Sequence, residues 1–201
     1  HRQALIPMIY GSMLRYARLA GFPALQIAFE KATSARAAAA IMAAPRALVD
    51  ATASERSTLC KWTQPFMNEP RPSVAHEAAN TMVWCDGAFI DALLDHAASE
   101  IEAAKMDKNL MTPLQQICPT RPGAPSPGSE AQCDRLFGLL ESATRSTKLR
   151  EEVRIQALMS LRRLRPDQAT LKLAREVRNG GGERMRFRAD AVIRALQDSG
   201  R

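Results

Sequence analysis

The stretch Val153-Arg154-Ile155-Gln156-Ala157-Leu158 decides the fold of this chain, because Phe187-Arg188-Ala189-Asp190-Ala191-Val192 repeats its pattern 34 residues later. In each copy a large apolar residue is followed by Arg. An Ala stands four positions after the apolar residue, with a second apolar residue beside it. Such positions share one side of an α-helix, and the small Ala lets a neighbouring helix come close. Between the copies, Pro166 and Asp167 signal the start of another helix over about 166–178, with Leu171, Ala174 and Val177 on one side. Gly180-Gly181-Gly182 is expected to end that hairpin.

Working outward, Val74-Ala75-His76-Glu77-Ala78-Ala79 is a weaker echo. It starts a helix that should run to about Asp86, with Gly87 as the break. A partner helix is expected from about Ala88 to Ser99, turning Phe89, Leu93 and Leu94 inward. The offset from Val74 to Val153 is about two repeat lengths, so one degenerate unit should lie between them. Its helices are expected over about Glu100 to Cys118 and Ala131 to Ser146. Before Val74, Glu55 to Asn68 reads as helix and Glu69-Pro70-Arg71-Pro72 as a turn. Residues 1–50 are helical by composition, with breaks near Gly21-Phe22-Pro23 and at Pro45. Residues 119–130 hold four prolines, two glycines and two serines, and read as an extended surface loop.

The Val-Arg-x-x-Ala-Leu and Phe-Arg-x-x-Ala-Val helix starts resemble HEAT repeats over roughly residues 55–201. That resemblance implies a single all-α domain over 1–201, an α-solenoid of about four to five helical hairpins. The alternative is an irregular helical bundle. Composition agrees with either: aromatics are only 5% of the chain while Ala and Leu abound, which favours helix over strand. No apolar run approaches the ~20 residues that span a bilayer. The first residue is His1, compatible with a mature form or a fragment.

The net charge of +7 is unevenly spread. Residues 1–144 carry 13 Lys/Arg against 14 Asp/Glu, and residues 145–201 carry 15 against 7. All the excess therefore lies in the last quarter, which would attract an acidic protein or, alternatively, nucleic acid. Arg154 and Arg188 hold the repeat's arginine position, where they are expected to bond neighbouring turns. Arg162, Arg163 and Arg165 cluster at a helix end, where cations suit exposed carbonyls. In HEAT-like stacks the second helices of hairpins line the binding side. Lys172, Arg175 and Arg178, extended by Arg184 and Arg186, are on that ground the expected binding residues.

Four cysteines are present, Cys60, Cys85, Cys118 and Cys133. Cys118 and Cys133 bracket the Pro-rich loop, and a bond there would pin it by about 3 kcal/mol. Cys60 and Cys85 lie on helices expected to be neighbours. Two disulfides point to an oxidising compartment, periplasmic or secreted, rather than the cytoplasm.

Candidate chemistry is thin. His76-Glu77 followed by Asn80 lacks the second His of a zinc protease helix. On a HEAT-like helix start, His76-Glu77 also resembles the iron-binding pairs of deoxyhypusine hydroxylase. Ile155-Gln156 and Ala189-Asp190 stand where its other ligands would be, so that centre cannot assemble. HEAT-like DNA glycosylases use tryptophans and a carboxylate, for which this chain offers Trp62, Trp84 and Asp86. Trp84 and Asp86 are two apart on a helix and so aim at different faces; the tryptophans are expected to pack hairpins. Asp91, Asp95 and His96 share a helix but lack further ligands for a cation. No metal, cofactor or catalytic constellation is expected, and the chain reads as a non-enzymatic protein-interaction scaffold.

Overall fold

The computed structural model describes residues 6–85, 87–120 and 126–198. Among them the chain is all-α, with no strand. It separates into two compact units, His1–Leu93 and Leu94–Arg201. The division falls inside the helix Gly87–Glu102.

The first unit holds α1 (Ile6–Ala17), α2 (Phe22–Glu30), α3 (Ala35–Met42), α4 (Ala53–Thr63) and α5 (Pro72–Trp84). Short 3-10 turns at Arg18–Gly21, Ala44–Ala47 and Gln64–Asn68 join them. The expected breaks are placed differently. Pro23 lies within the first turn of α2 rather than ending a helix, because that turn needs no donor from it. The true interruption follows Glu30, where Ser34 accepts from the Ala37 N–H and starts α3. Thr52 and Glu55 form a reciprocal capping box at α4. Helix α3 packs on α5, with Ala38, Ala39, Met42, Ala78 and Met82 buried. The small Ala residues on both helices allow that close approach.

The helix α6 (Gly87–Glu102) buries Phe89, Ile90, Leu93, Leu94 and Ala97. The helix expected over 100–118 is not there. Helix α6 stops at Glu102, Ala104 takes φ 56°, and the Lys105 and Ala104 N–H groups return to the Glu100 and Ile101 carbonyls. That is a Schellman stop with Ala where Gly is usual. Asp107 then accepts from the Asn109 N–H and starts a 3-10 turn, Lys108–Leu110, which leads into the short α7 (Met111–Gln115). Pro113, with no N–H to donate, rules out one continuous helix through this segment.

The remaining helices are α8 (Glu130–Arg145), α9 (Glu151–Leu164), α10 (Gln168–Gly180) and α11 (Glu183–Asp198). Their ranges lie close to those expected, but their pairing does not. The main packing is α8 with α9 and α10 with α11. Gly181 and Gly182 therefore form the turn inside a hairpin instead of its end. A Cβ on Gly181 would fall 2.8 Å from the Val177 carbonyl oxygen, and one on Gly182 would fall 2.7 Å from Glu151 Oε1. This makes α9 and α11 the second helices of successive hairpins.

The repeat register is also corrected. In α9, Val153, Ala157 and Ser160 are buried; in α11 the buried equivalents are Met185, Ala189 and Val192, each 32 residues on. The 34-residue echo would put Phe187 in the core, yet it is 63% exposed. The side chain that fills Val153's place is Met185.

Candidate functional site

The second unit has an open groove of about 790 Å³ between the second helices of its two hairpins. Helix α9 contributes Glu152, Ile155, Gln156 and Met159; helix α11 contributes Glu183, Arg184, Phe187 and Arg188; Lys108 closes one end. The first turns of the two helices are tied together. Glu151 Oε1 accepts from the Met185 N–H at 3.2 Å, so a side chain of α9 caps α11. Glu152 and Arg184 stand 3.6 Å apart beside it.

This arrangement has an apolar floor and a charged margin. Ile155 and Met159 lie on the α9 side, and Phe187 is the one large hydrophobic side chain with high exposure among the described residues of the second unit. The Arg188 guanidinium lies 5.8 Å from the Phe187 ring centroid. Glu152 offsets Arg184, which leaves Lys108 and Arg188 against Glu183 along the lining. Nothing in it resembles a nucleophile and base held in hydrogen-bond reach.

The expected binding residues do not converge on this groove. Arg184 alone lines it. Arg178 Nε pairs with Asp190 Oδ1 at 2.6 Å, on the side of α11 that meets α10. Lys172 and Arg175 are exposed on α10, and Arg186 is exposed on α11. Arg186 is two positions from Arg184, so it projects from a different side of the helix. The signal that would have found the groove was present in the sequence. Counting burial at an offset of 32 puts Glu152 opposite Arg184 and Ile155 opposite Phe187.

Other cations of the basic quarter serve the scaffold. Arg154 Nε donates to the Thr144 carbonyl at 3.1 Å, closing the end of α8 as the repeat position suggests. Arg188, its counterpart, does no such thing; it leans over Phe187. Arg165 pairs with Glu141 and Asp167 and lies over the Phe137 ring. Burial raises the Glu141 carboxyl, but hydrogen bonds from Arg165 and Arg145 outweigh it and hold the group below its ordinary range. Arg145 bridges Glu141 and Glu176, and Arg150 reaches Asp107. The Asp107 carboxyl is lowered first by the Asn109 N–H and then, against partial burial, by Arg150.

The remaining candidates resolve into packing. Trp62 meets Phe22, Phe29 and Phe66 edge-on, with centroids 5.5–5.9 Å apart. Trp84 lies beneath the Arg56 guanidinium at 5.0 Å. Asp86 lies outside the described residues, so the glycosylase-like carboxylate has no place in this geometry. The His76 ring is within 3.0 Å of the Asn80 amide, and Glu77 pairs with Arg46. Asp95 pairs with Arg135, while burial, opposed by Glu100, lowers the half-buried His96 ring below its ordinary value. Among the described residues no group of three or more His, Cys, Asp and Glu is placed to hold a metal ion. No helix among them is long and apolar enough to cross a membrane.

Both expected cysteine pairs lie at disulfide distance. Cys60 and Cys85 have Cα atoms 6.1 Å apart and join α4 to the end of α5. Cys118 and Cys133 are 5.7 Å apart and join the chain after α7 to the first turn of α8. The loop between them is held further where Ser126 Oγ and the Gly128 N–H both donate to the Ile117 carbonyl. Residues 121–125 lie outside the described residues.

The class is thus an all-α, disulfide-bearing protein whose second unit stacks two hairpins around a charged groove. No protein-family model matches the chain, and no curated protein or solved structure is significantly similar to it.

Proposed function

We propose that this chain is a non-enzymatic, HEAT-like interaction scaffold that binds an acidic protein through its basic second unit. One observation carries this: the exposed Phe187 ring sits in a groove beside Arg184, Arg188 and Lys108. An aromatic anchor amid cations is the composition of a protein-binding hot spot, where the ring supplies buried area and the charges supply steering. Two successive hairpins sharing one buried register support the HEAT-like description. Lys172, Arg175 and Arg186, exposed nearby in sequence, add long-range attraction for the same partner. Two disulfides favour an extracytoplasmic setting, periplasmic or secreted.

The test is binding of the intact, oxidised protein to a labelled acidic polypeptide, compared with random single- and double-stranded oligonucleotides. Fluorescence anisotropy should show saturable binding of the polypeptide that weakens as salt rises. Tight oligonucleotide binding with no binding of acidic polypeptide would replace this reading with nucleic-acid recognition.

A further inference from the structure

We propose that the groove between α9 and α11 seats an amphipathic helix of the partner, with apolar side chains one turn apart on Ile155, Met159 and Phe187. Its carboxylates lie beyond them, on Arg163 and Arg194. This deepens, and rests on, the reading that the second unit binds an acidic protein.

The register fixes the pattern. The bond from the Met185 N–H to Glu151 and the Glu152–Arg184 pair align the starts of α9 and α11, and burial keeps them in step at 32 residues. Ile155 then stands level with Phe187, and Met159 with Ala191. These two levels are separated by four residues, about 6 Å along the axes. A partner helix meets that spacing with apolar residues at i and i+4, the usual mode of helix-in-groove recognition. The stripe from Glu152 to Arg163 is about 16 Å long, which a helix of about three turns covers.

Charge is graded along the same stripe. At its start, Glu152 and Glu183 stand among Lys108 and Arg184, so the ends of both signs are present. One turn beyond Met159, the α9 face carries Arg163, and the α11 face carries Arg194 at the matching level. Both are exposed, and neither has an ion pair among the described residues. Carboxylates on the partner are therefore favoured at that end and not at the other. A featureless acidic tail would leave Phe187 in water, and a polyanion would meet Glu152 and Glu183. An amphipathic helix with its acidic residues on one side of its anchors satisfies both features at once.

The experiment uses a labelled synthetic helical peptide with two Leu residues four apart and Glu residues filling the half that follows. A scrambled peptide of the same composition is the control. Binding to the oxidised, full-length protein is followed by anisotropy. The patterned peptide should bind at least about tenfold more tightly than the scrambled one. Phe187→Ala should weaken it about tenfold or more, and Arg163→Glu with Arg194→Glu should do the same while flattening its salt dependence. Lys172→Glu with Arg175→Glu, outside the groove, should change it less than about threefold. Circular dichroism and thermal melts keep these surface variants interpretable. Equal, salt-dependent binding of patterned and scrambled peptides, or indifference to Phe187→Ala, overturns the helix proposal while leaving the acidic-partner reading intact. Binding of neither peptide removes both.

Discussion

The two units treat their large apolar side chains differently. In the first, Met8, Ile9 and Tyr16 on α1, Ile27 on α2 and Val49 in a turn all stand well exposed. In the second, Phe187 alone does so among the described residues, and it lies in a groove. Exposure by itself is ordinary, since apolar atoms make up over half of a typical protein surface. What distinguishes Phe187 is company: an apolar floor from the neighbouring hairpin and guanidinium groups at its rim. The scattered residues of the first unit lack a comparable arrangement of charge. A site is marked by convergence, and convergence depends on which helices are paired.

The units also differ in how they are tied, and the largest effects test this. Reducing Cys60–Cys85, which closes the longer stretch of chain, should cost about 3.5 kcal/mol, and reducing Cys118–Cys133 about 3 kcal/mol, on the loop-entropy view. Urea unfolding of the single Cys-pair to Ala variants would measure both. If the second costs nothing, the disulfide does not confine the Pro-rich loop in the unfolded chain.

A smaller effect probes the tie between hairpins. Glu151→Ala removes the acceptor for the Met185 N–H and should lower stability by about 1 kcal/mol, as loss of a helix cap does. It should also loosen the groove and so weaken peptide binding, without touching any groove-lining side chain. Unchanged stability would show that the two helices are aligned by their buried faces alone.

Acid should act on the first unit through Glu55. Hydrogen bonds from Arg18, then from the Thr52 N–H and hydroxyl, hold its carboxyl down to about 2 from an ordinary 4.5. A carboxylate lowered by folding stabilises the native state fully above its unfolded value. That contribution is lost as pH falls through the window from 4.5 to about 2. Thermal melts across this window should drop more steeply for the natural protein than for Glu55→Gln. Parallel curves would mean that the Arg18 contact is too solvent-screened to matter.

The smallest change is a gain. Ala104 holds a left-handed backbone at φ 56°, where Gly carries no Cβ penalty. Ala104→Gly should stabilise the second unit by a few tenths of a kcal/mol to about 1 kcal/mol, after allowing for the greater freedom of Gly when unfolded. A loss instead would show that the entropy term dominates at this stop.

Much of the architecture was legible in the sequence. Apolar spacing located α5, α6, α8, α9 and α10 to within a few residues, since each buries a stripe that recurs with the helical period. The cysteine pairs followed from their positions around the Pro-rich loop and on two adjacent helices. Two things misled. The 34-residue echo matched letters rather than faces, so Phe187 was assigned to the core where Met185 belongs. Pro113 and the Asp107 cap, both visible in the sequence, were outweighed by the expectation of a regular repeat between residues 100 and 118.

The sequence by itself determined that the chain is helical, where most helices begin, which cysteines pair and that its positive charge gathers late. These are local properties, set by side-chain spacing, capping groups and composition within a few turns. Only the tertiary structure decided that α9 packs with α8 and α11 with α10, and thereby that Arg184 and Arg188 share a groove with Phe187 while Lys172 and Arg175 do not. The physical reason is that one helix can bury a given stripe against either neighbour at similar local cost. The choice rests on short turns, on a glycine that admits the Glu151 carboxylate, and on how Met185 fills space that no local rule assigns.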